Sequence, residues 1–273
     1  MPKPVYILTF WITLNSLLSC ASGHDNFNST LWMQTAAEYK AITISTYKIA
    51  AAKLDEALKD NQWSAALEQT DNYGHLPPAI ILDIDETVLD NSPFQGQLIL
   101  DSSAYSAAAW DEWIAKAKAA AVPGACAFIR EAKNKGIRVI YITNRTCSRR
   151  GNDPAPCPQE LDTINNLLAL GFPEINAAEE MLLQNERAGW TDEKKNRRQE
   201  IVQKYRVLML IGDDLGDFIP HVKKEITAKK RAQLMDSFEA YWGSRWFMLP
   251  NPTYGSWHQV LTPPKVQYIK GYR

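Results

Sequence analysis

One apolar stretch that ends in two acidic residues constrains the fold of this 273-residue chain more than any other feature. Residues 79–82 are all apolar, and Asp83 and Asp85 follow them. Two prolines precede the stretch and polar residues follow it, which is typical of a buried parallel strand. Side chains alternate along a strand, so both carboxylates can point the same way from its carboxyl end. Ligands of open α/β sheets bind at that end, and two acids there need a cation, hydrogen bonds or a shared proton.

Apolar segments alternate with helical patterns along the rest of the chain, and this alternation sets the expected fold class. We predict four more strands, at residues 137–143, 181–183, 207–211 and 245–249. Helical periodicity is present at residues 31–67, 106–121, 159–170 and 192–205, whereas residues 94–103 are expected to be irregular. Strands that alternate with helices of this length form βαβ units. The sequence therefore predicts an α/β fold with a Rossmann-like, mostly parallel sheet flanked by helices.

Polar residues follow three of the predicted strands, and they are candidates for one shared site. They are Asp83 and Asp85 after the first strand, Thr143 and Asn144 after the second, and Asp213, Asp214 and Asp217 after the fourth, with Lys194 on the preceding helix. Because the carboxyl ends of parallel strands meet at one edge of a sheet, we expect these side chains to lie close together. Each strand end is a weak signal alone, but the combination indicates a charged ligand site.

The composition suits a globular protein. The chain is 45% hydrophobic and 22% charged, which excludes extensive disorder. Its net charge of −1 gives no electrostatic footprint for a nucleic acid polymer, so we expect no such partner.

The amino terminus has the pattern of a targeting segment. Lys3 precedes an uncharged apolar run over residues 5–19, which is shorter than the about 20 residues of a membrane-spanning helix and fits a signal peptide. The run ends at Cys20 in a sequence that resembles a bacterial lipobox. We predict a signal peptide at residues 1–19 and a lipid on Cys20, with ordinary cleavage near Ala21 as the alternative.

This pattern also predicts the location of the protein. We expect an exported lipoprotein on the outer membrane, or on another periplasm-facing membrane, of a Gram-negative-type bacterium. The alternative is a soluble periplasmic or secreted protein.

The remaining cysteines divide between a loop and a helix. Cys147 and Cys157 bracket a loop rich in Pro, Gly and Arg, and we predict that they form a disulfide, which export permits. Cys126 lies in an apolar helical stretch and is expected to be a buried thiol.

The motifs at the predicted strand ends resemble those of a known family. Asp83-Ile-Asp-Glu-Thr87, a strand that ends in Thr-Asn, a lysine, and Gly212-Asp-Asp-Leu-Gly-Asp217 resemble the motifs of haloacid dehalogenase superfamily phosphohydrolases. Residues 82–93 and 210–218 are more specifically similar to the two identifying motifs of bacterial class C acid phosphatases, which are often lipoproteins. Residues 250–257 resemble the carboxyl-terminal segment of those enzymes.

The resemblance implies a division of the chain into a core and a cap. It implies the haloacid dehalogenase fold with a smaller helical cap. Residues 20–78 would contribute to the cap, and residues 79–250 would form the α/β core with inserted cap segments. Residues 251–273 would pack near the site.

The resemblance also implies hydrolysis of phosphomonoesters, a chemistry that the residues support. Asp83 would be the nucleophile that forms a phospho-aspartyl intermediate, and Asp85 would donate and later accept a proton. The cofactor would be Mg²⁺, held by the carboxylates of Asp83 and Asp213 and by the main-chain oxygen of Asp85.

Other residues are assigned supporting roles. Thr143 and Asn144 would donate hydrogen bonds to the phosphoryl oxygens, and Lys194 would offset their negative charge. Lys195 is the alternative to Lys194, although it would face about 100° away on a helix. The remaining acids, Asp214 and Asp217, would orient ligands or waters.

The implied substrates are small phosphomonoesters, including nucleoside 5′-monophosphates. Aromatic side chains would stack on the base, and Phe94, Trp110 and Tyr254 are the candidates, although most aromatic residues in a chain with nine tryptophans and eleven tyrosines belong to the core. Relatives are commonly dimers, so a homodimer is expected by analogy.

Alternative functions fit the residues less well. An EF-hand loop that started at Asp83 would need Gly at its sixth position and Glu at its twelfth, where this chain has Val88 and Phe94. The cysteine-phosphatase loop and the Arg-His-Gly motif of histidine phosphatases are absent from the sequence. The remaining alternative is an exported lipoprotein that binds nucleotides or other phosphorylated ligands with little turnover.

Overall fold

Residues 24–272 are described in a computed structural model of the chain. The predicted signal peptide and Cys20 lie outside the described residues. Within residues 24–272, no helix is both long and apolar enough to cross a membrane.

Helices and strands alternate along most of the chain. The strands are β1 (Pro78–Leu82), β2 (Leu89–Asp90), β3 (Ala120–Ala121), β4 (Arg138–Thr146), β5 (Met181–Gln184), β6 (Arg206–Gly212) and β7 (Trp246–Met248). The α-helices are α1 (Phe27–Thr35), α2 (Ala37–Lys59), α3 (Ser92–Leu100), α4 (Ala107–Lys116), α5 (Ala125–Asn134), α6 (Pro158–Ala169), α7 (Ala177–Glu180), α8 (Lys195–Val202), α9 (Ala228–Ser237) and α10 (Ser256–Gln259). Short 3₁₀ helices follow β6, α9 and α10.

Five strands form one parallel sheet in the order β5-β4-β1-β6-β7. Strands β4 and β5 lie on one side of β1, and β6 and β7, which come later in the chain, lie on the other side. The strand order therefore reverses beside β1, and a crevice at the carboxyl ends of β1 and β6 is the expected ligand site of such a sheet. The prediction of an α/β fold with a mostly parallel sheet is confirmed.

The two faces of the sheet are covered by different helices. Ile80 and Leu82 of β1 face a core shared with α2, α5 and α6, whereas Ala79 and Ile81 face a core shared with α8. Because both faces are buried, the central strands are uniformly apolar. The amino-terminal helix α2 thus packs on the sheet itself, whereas α1 packs against α3.

Residues 94–103 were expected to be irregular, and that expectation is wrong. Helix α3 covers Ser92–Leu100, with a proline in its first turn and Asn91 at its amino-terminal cap. Gly96 lowers the helix propensity of this segment, but burial of Phe94 and Leu98 stabilises it.

Three other predicted boundaries also need correction. Helix α4 ends at Lys116 because Ala117 adopts a left-handed conformation, and residues 120–121 then form β3. Strand β4 continues beyond Thr143 to Thr146, because it pairs again with β5 after a register shift. Helix α8 begins only at Lys195, so Lys194 precedes the helix instead of lying on it.

The loop between β4 and α6 is closed as predicted from the sequence. Cys147 and Cys157 are joined, with their Cα atoms 4.8 Å apart, within the range of disulfides. Arg150 in this loop donates to Asp111 on α4 at 2.7 Å and to Asp162 on α6 at 2.7 Å. Cys126, expected to be buried, is a free thiol on α5 and is partly exposed.

Candidate active site

Three carboxylates meet at the reversal point of the sheet. Asp83 follows β1 and Asp213 follows β6, while Asp217 lies in the 3₁₀ turn after β6. One carboxylate oxygen from each lies within 4.8 Å of the other two. Gly212 makes this approach possible, because a Cβ atom there would clash with the carboxylate of Asp217.

Burial and mutual repulsion disfavour the charged forms of Asp83 and Asp213. Burial raises the pKa of Asp83 to about 7, with Lys194 acting against the rise and Asp217 and Asp85 adding to it. Burial and the charge of Asp83 likewise hold the pKa of Asp213 well above its usual range. Such a cluster is suited to a cation, since a bound positive charge removes the repulsion.

Lys194 supplies a positive charge inside the cluster. Its ammonium group bonds the carboxylate of Asp83 and lies 2.6 Å from Oδ1 of Asp217, and the residue is only 4% exposed. The neighbouring Lys195 is half-buried on α8 and has no ion pair in the described part of the chain. The structure thus places Lys194, and not Lys195, at the site.

Two buried arginines after Lys194 connect the loops that carry the site. Arg197 donates to the main-chain oxygen of Thr143 at 2.5 Å. Arg198 donates to the main-chain oxygen of Asp217 at 2.9 Å and pairs with Glu68 at 2.7 Å. Helix α8 therefore fixes the strand ends of both β4 and β6 through adjacent side chains.

Asp85 lies apart from the three-carboxylate cluster. Its side chain pairs with Arg145, whose Nη2 lies 2.8 Å from Oδ1, and accepts a hydrogen bond from Asn91 at 2.9 Å. Asp85 lines the same cleft, but its carboxylate is not one of the three that approach one another.

The two residues after the second predicted strand differ in their orientation. Thr143 is buried, and its hydroxyl donates to Asp85 at 3.4 Å and accepts from the main-chain N–H of Arg145. The amide of Asn144 donates to the main-chain oxygen of Asp192 and accepts from Arg197, although the residue still lines the cleft.

The carboxyl-terminal segment completes the site. Asn251 donates to Oδ2 of Asp213 at 2.8 Å, and its own side-chain oxygen accepts from Thr253. Asp214 accepts from both the main chain and the hydroxyl of Ser256. Although burial raises the pKa of Asp214, hydrogen bonds from Ser256 and Gly216 outweigh it, and its pKa is lowered. Asp214 thus orients the segment rather than the acids.

An open cleft of about 590 Å³ leads to the acids. Its walls include all three predicted aromatic candidates, Phe94, Trp110 and Tyr254. The rings of Phe94 and Trp110 are 5.0 Å apart in an edge-to-face arrangement. Phe94 is only 5% exposed and also supports the core, whereas Trp110 and Tyr254 are half-buried at the cleft wall.

Tyr254 is fixed by a buried acid. Its hydroxyl bonds the carboxyl group of Glu86, which is 1% exposed and adopts a positive φ of 59°. Burial holds the pKa of Glu86 well above its usual range.

Several residues at the site were given no role from the sequence. They are Arg145, Asn91, Glu86, Arg197, Arg198, Asn251 and Ser256. Arg145 directly follows Thr143-Asn144, and Asn251 lies in the segment whose resemblance was noted, so proximity to the motifs was a usable signal. Their roles depend on side-chain directions that local sequence does not specify.

Comparison with known families identifies the class of protein. A family model described as HAD superfamily, subfamily IIIB (acid phosphatase), matches residues 15–257. The chain therefore belongs to this family, whose class is that of the phosphomonoester hydrolases, and the family predicted from the motifs is confirmed.

Solved structures agree with that family. The class C acid phosphatase from Bacillus anthracis is 34% identical, with a TM-score of 0.69 over 86% of this chain and 87% of that chain. A structure of a class C acid phosphatase from the same organism with tungstate bound is 33% identical, with a TM-score of 0.70 over the same shares of the two chains.

Curated relatives are more distant. The stem 28 kDa glycoprotein of Glycine max is 23% identical over 185 residues, which are 66% of this chain and 61% of that protein. The stem 31 kDa glycoprotein of Glycine max is 23% identical over 183 residues, 65% of this chain and 52% of that protein. The chain thus spans between about half and three-fifths of the length of these relatives.

Proposed function

We propose that this chain is a Mg²⁺-dependent acid phosphatase that hydrolyses small phosphomonoesters through a phospho-aspartyl intermediate on Asp83. The observation that carries the proposal is the approach of Asp83, Asp213, Asp217 and Lys194 at the carboxyl ends of β1 and β6. A Mg²⁺-dependent assay with p-nitrophenyl phosphate tests it. The alternative, a lipoprotein that only binds phosphorylated ligands, predicts no turnover in that assay.

The donor set fits a hard divalent cation. Carboxylate oxygens are the ligands that Mg²⁺ prefers. Burial first, and repulsion between neighbouring acids second, raise the pKa values of Asp83 and Asp213, and a cation relieves the repulsion. Asp83 and Asp213 would hold the ion with the main-chain oxygen of Asp85. Asp217 lies close enough to join them, a role that the sequence did not suggest. When bound, the ion neutralises the phosphoryl oxygens and helps to align them.

The first step transfers the phosphoryl group to the protein. An oxygen of Asp83 attacks phosphorus, the bond between phosphorus and the leaving oxygen breaks, and its electron pair remains on that oxygen. Asp85 donates a proton to the leaving oxygen, which departs as an alcohol. Lys194 stabilises the negative charge on the transferred group, while the hydroxyl of Thr143 donates to Asp85.

The second step releases phosphate. Asp85, now a carboxylate, takes a proton from water as the water oxygen attacks phosphorus. The bond between phosphorus and Asp83 breaks, and the carboxylate of Asp83 is regenerated. Because Asp85 serves in both proton transfers, its side chain must keep its orientation toward the reacting oxygens during both steps.

Lys194 and Lys195 provide a matched pair of variants. We expect Lys194→Gln to lower kcat/KM on p-nitrophenyl phosphate by about 10²–10³-fold, as for loss of one preorganised charge in an active site. Lys195→Gln, at a residue that has no ion pair within residues 24–272, should change kcat/KM by no more than about twofold. Steady-state kinetics at saturating Mg²⁺ measure both values. The reverse order of effects would move the assignment to Lys195.

We propose nucleoside 5′-monophosphates as one substrate class. The cleft wall contains aromatic rings beside the acids, and an aromatic face can stack on any base. The tungstate-bound neighbour supports an oxyanion site in this fold. The polar groups of the cleft leave the choice among bases open, so a comparison of nucleotides, sugar phosphates and aryl phosphates would rank the substrates.

Tyr254 tests the stacking proposal. Tyr254→Ala should raise KM for a nucleoside monophosphate by about tenfold, since one base stack contributes about 1–3 kcal/mol, and should leave KM for a small alkyl phosphate nearly unchanged. Tyr254→Phe keeps the ring and should keep the nucleotide KM. Tyr268→Ala is the control, because Tyr268 is 41% exposed and does not line the cleft. Equal changes in KM for both substrates would contradict stacking.

The location and assembly of the protein are also proposals. We propose export by the signal peptide at residues 1–19, tethering through a lipid on Cys20, and assembly as a homodimer. Labelling with a radioactive fatty acid, with Cys20→Ser as control, tests the tether. Light scattering of the purified protein measures its mass.

A further inference from the structure

We propose that Arg145 positions the carboxyl group of Asp85 for proton transfer to the leaving oxygen. The inference rests on the proposed function, in which Asp85 is the proton donor. Arg145 is thus a positioning residue that acts through Asp85, and no role in binding the phosphoryl group is assigned to it.

The guanidinium of Arg145 holds Asp85 along one edge. Nη2 and Nε donate to Oδ1 at 2.8 and 3.0 Å, and Nε also lies 3.3 Å from Oδ2. Arg145 is only 1% exposed. A planar group with two adjacent donors fixes both the position and the rotation of a carboxyl group, which a lysine ammonium does not.

Arg145 is itself held on two sides. Its Nη1 donates to the hydroxyl of Thr163 on α6 at 2.9 Å, and its main-chain N–H donates to the hydroxyl of Thr143 at 3.1 Å. The Thr163 hydroxyl in turn donates to the main-chain oxygen of Gln159 at 2.7 Å. These contacts reduce the rotamer freedom of a long side chain before any ligand arrives.

Asn91 restrains Asp85 from another direction. Its Nδ2 donates to Oδ1 of Asp85 at 2.9 Å, while its own oxygen accepts from Trp113 on α4 at 2.8 Å. The guanidinium of Arg145 also lies 5.8 Å from the ring centroid of Trp110, within the range of cation–π contacts. Asp85 is therefore oriented relative to the aromatic wall of the cleft.

This arrangement matters for one step of the proposed reaction. As the bond from Asp83 to phosphorus forms and the bond to the leaving oxygen breaks, the proton of Asp85 must pass to that oxygen. Proton transfer requires the donor within hydrogen-bond reach. Its contribution is largest for a poor leaving group, such as an alkoxide, and small for p-nitrophenolate, which leaves readily as an anion.

The test compares leaving groups. We would measure kcat/KM on an alkyl phosphate and on p-nitrophenyl phosphate for the wild type, Arg145→Gln and Arg145→Lys, at saturating Mg²⁺. The ratio kcat/KM covers only steps up to release of the alcohol, so the later action of Asp85 on water does not enter. We expect Arg145→Gln to lose about 10–100-fold on the alkyl phosphate and less than about threefold on p-nitrophenyl phosphate. Arg145→Lys should also lose more kcat/KM on the alkyl phosphate than on p-nitrophenyl phosphate.

Asp85→Asn separates this inference from the proposed function. If Asp85→Asn loses rate selectively on the alkyl phosphate and the Arg145 variants lose it equally on both substrates, Arg145 has only a structural role. If Asp85→Asn itself shows no selectivity, Asp85 is not the proton donor and the proposed function must change.

Two further variants guard against misfolding. Arg138→Gln is the matched control, because Arg138 lies at the other end of β4 and also pairs with a carboxylate, that of Glu180, at 2.9 Å; it should show no leaving-group selectivity. Thr163→Val removes an anchor of Arg145 and leaves the arginine in place. Thr163→Val should show a smaller loss of kcat/KM than Arg145→Gln, again mainly on the alkyl phosphate. The inference is overturned if folded Thr163→Val and folded Arg145 variants lose kcat/KM equally on both substrates. Thermal melts establish that each variant is folded.

Discussion

Replacing Asp83 with asparagine is expected to abolish turnover and to leave the fold intact. An amide cannot form the covalent phosphoryl bond, so kcat on p-nitrophenyl phosphate should fall by on the order of 10⁴-fold or more. The fold should persist because the substitution would neutralise one of three mutually repelling acids, and Lys194 would keep its partner Asp217. Steady-state kinetics and thermal melts measure the two effects.

Trapping of the intermediate gives this prediction a second readout. Acid quenching during turnover should leave a covalent phosphate on a peptide that contains Asp83 in the wild type and none in Asp83→Asn. Asp55→Asn, at an exposed residue on α2, is the control and should behave as the wild type. Substantial residual activity of a folded Asp83→Asn protein would refute the nucleophile assignment.

Removal of divalent metal is expected to stop the reaction and to lower stability. EDTA should bring activity on p-nitrophenyl phosphate to background, and excess Mg²⁺ should restore it. Ligand at about 100 times its dissociation constant stabilises the folded state by about 2.7 kcal/mol, so the melting temperature should rise with Mg²⁺. Asp213→Asn should weaken both responses, whereas Asp162→Asn, in the loop network of Arg150, should not. Activity that is unaffected by EDTA would remove the metal from the scheme.

The metal-free protein should also respond to pH. Burial raises the pKa of Asp83 to about 7, compared with an ordinary value of 3.8. A carboxyl group whose pKa is raised by folding contributes stability that is fully present below the ordinary value and is lost as pH rises through the folded value. Stability of the chelated protein should therefore decline between about pH 4 and pH 7. Added Mg²⁺ should reduce that decline, and melts across this pH range measure it.

The sequence predicted the parts of the site that are local in the chain. The apolar run into Asp83 specified a buried strand, and the order of strands and helices placed Asp213 near it. Lys194 and Lys195 could not be separated from periodicity, because the helix that would have distinguished them begins at Lys195, three residues later than expected. Burial of Lys194 among the acids decides between them.

The missed features depend on tertiary contacts. Helix α3 is stabilised by burial of Phe94 despite its glycine, which propensity alone does not reveal. Arg145 turns toward Asp85 where β4 shifts register against β5, and such an irregularity has no simple sequence signature. Asp217 joins the acids because Gly212 leaves room, so its position depends on two residues jointly.

Residues 251–256 follow every strand of the sheet in chain order, yet they bond directly to Asp213 and Asp214. A polypeptide cut after β7 would thus retain the acids and Lys194 but would lose the amide and hydroxyl groups that orient the loop after β6. Proteolytic cleavage near residue 250 should therefore abolish activity while the rest of the protein stays folded.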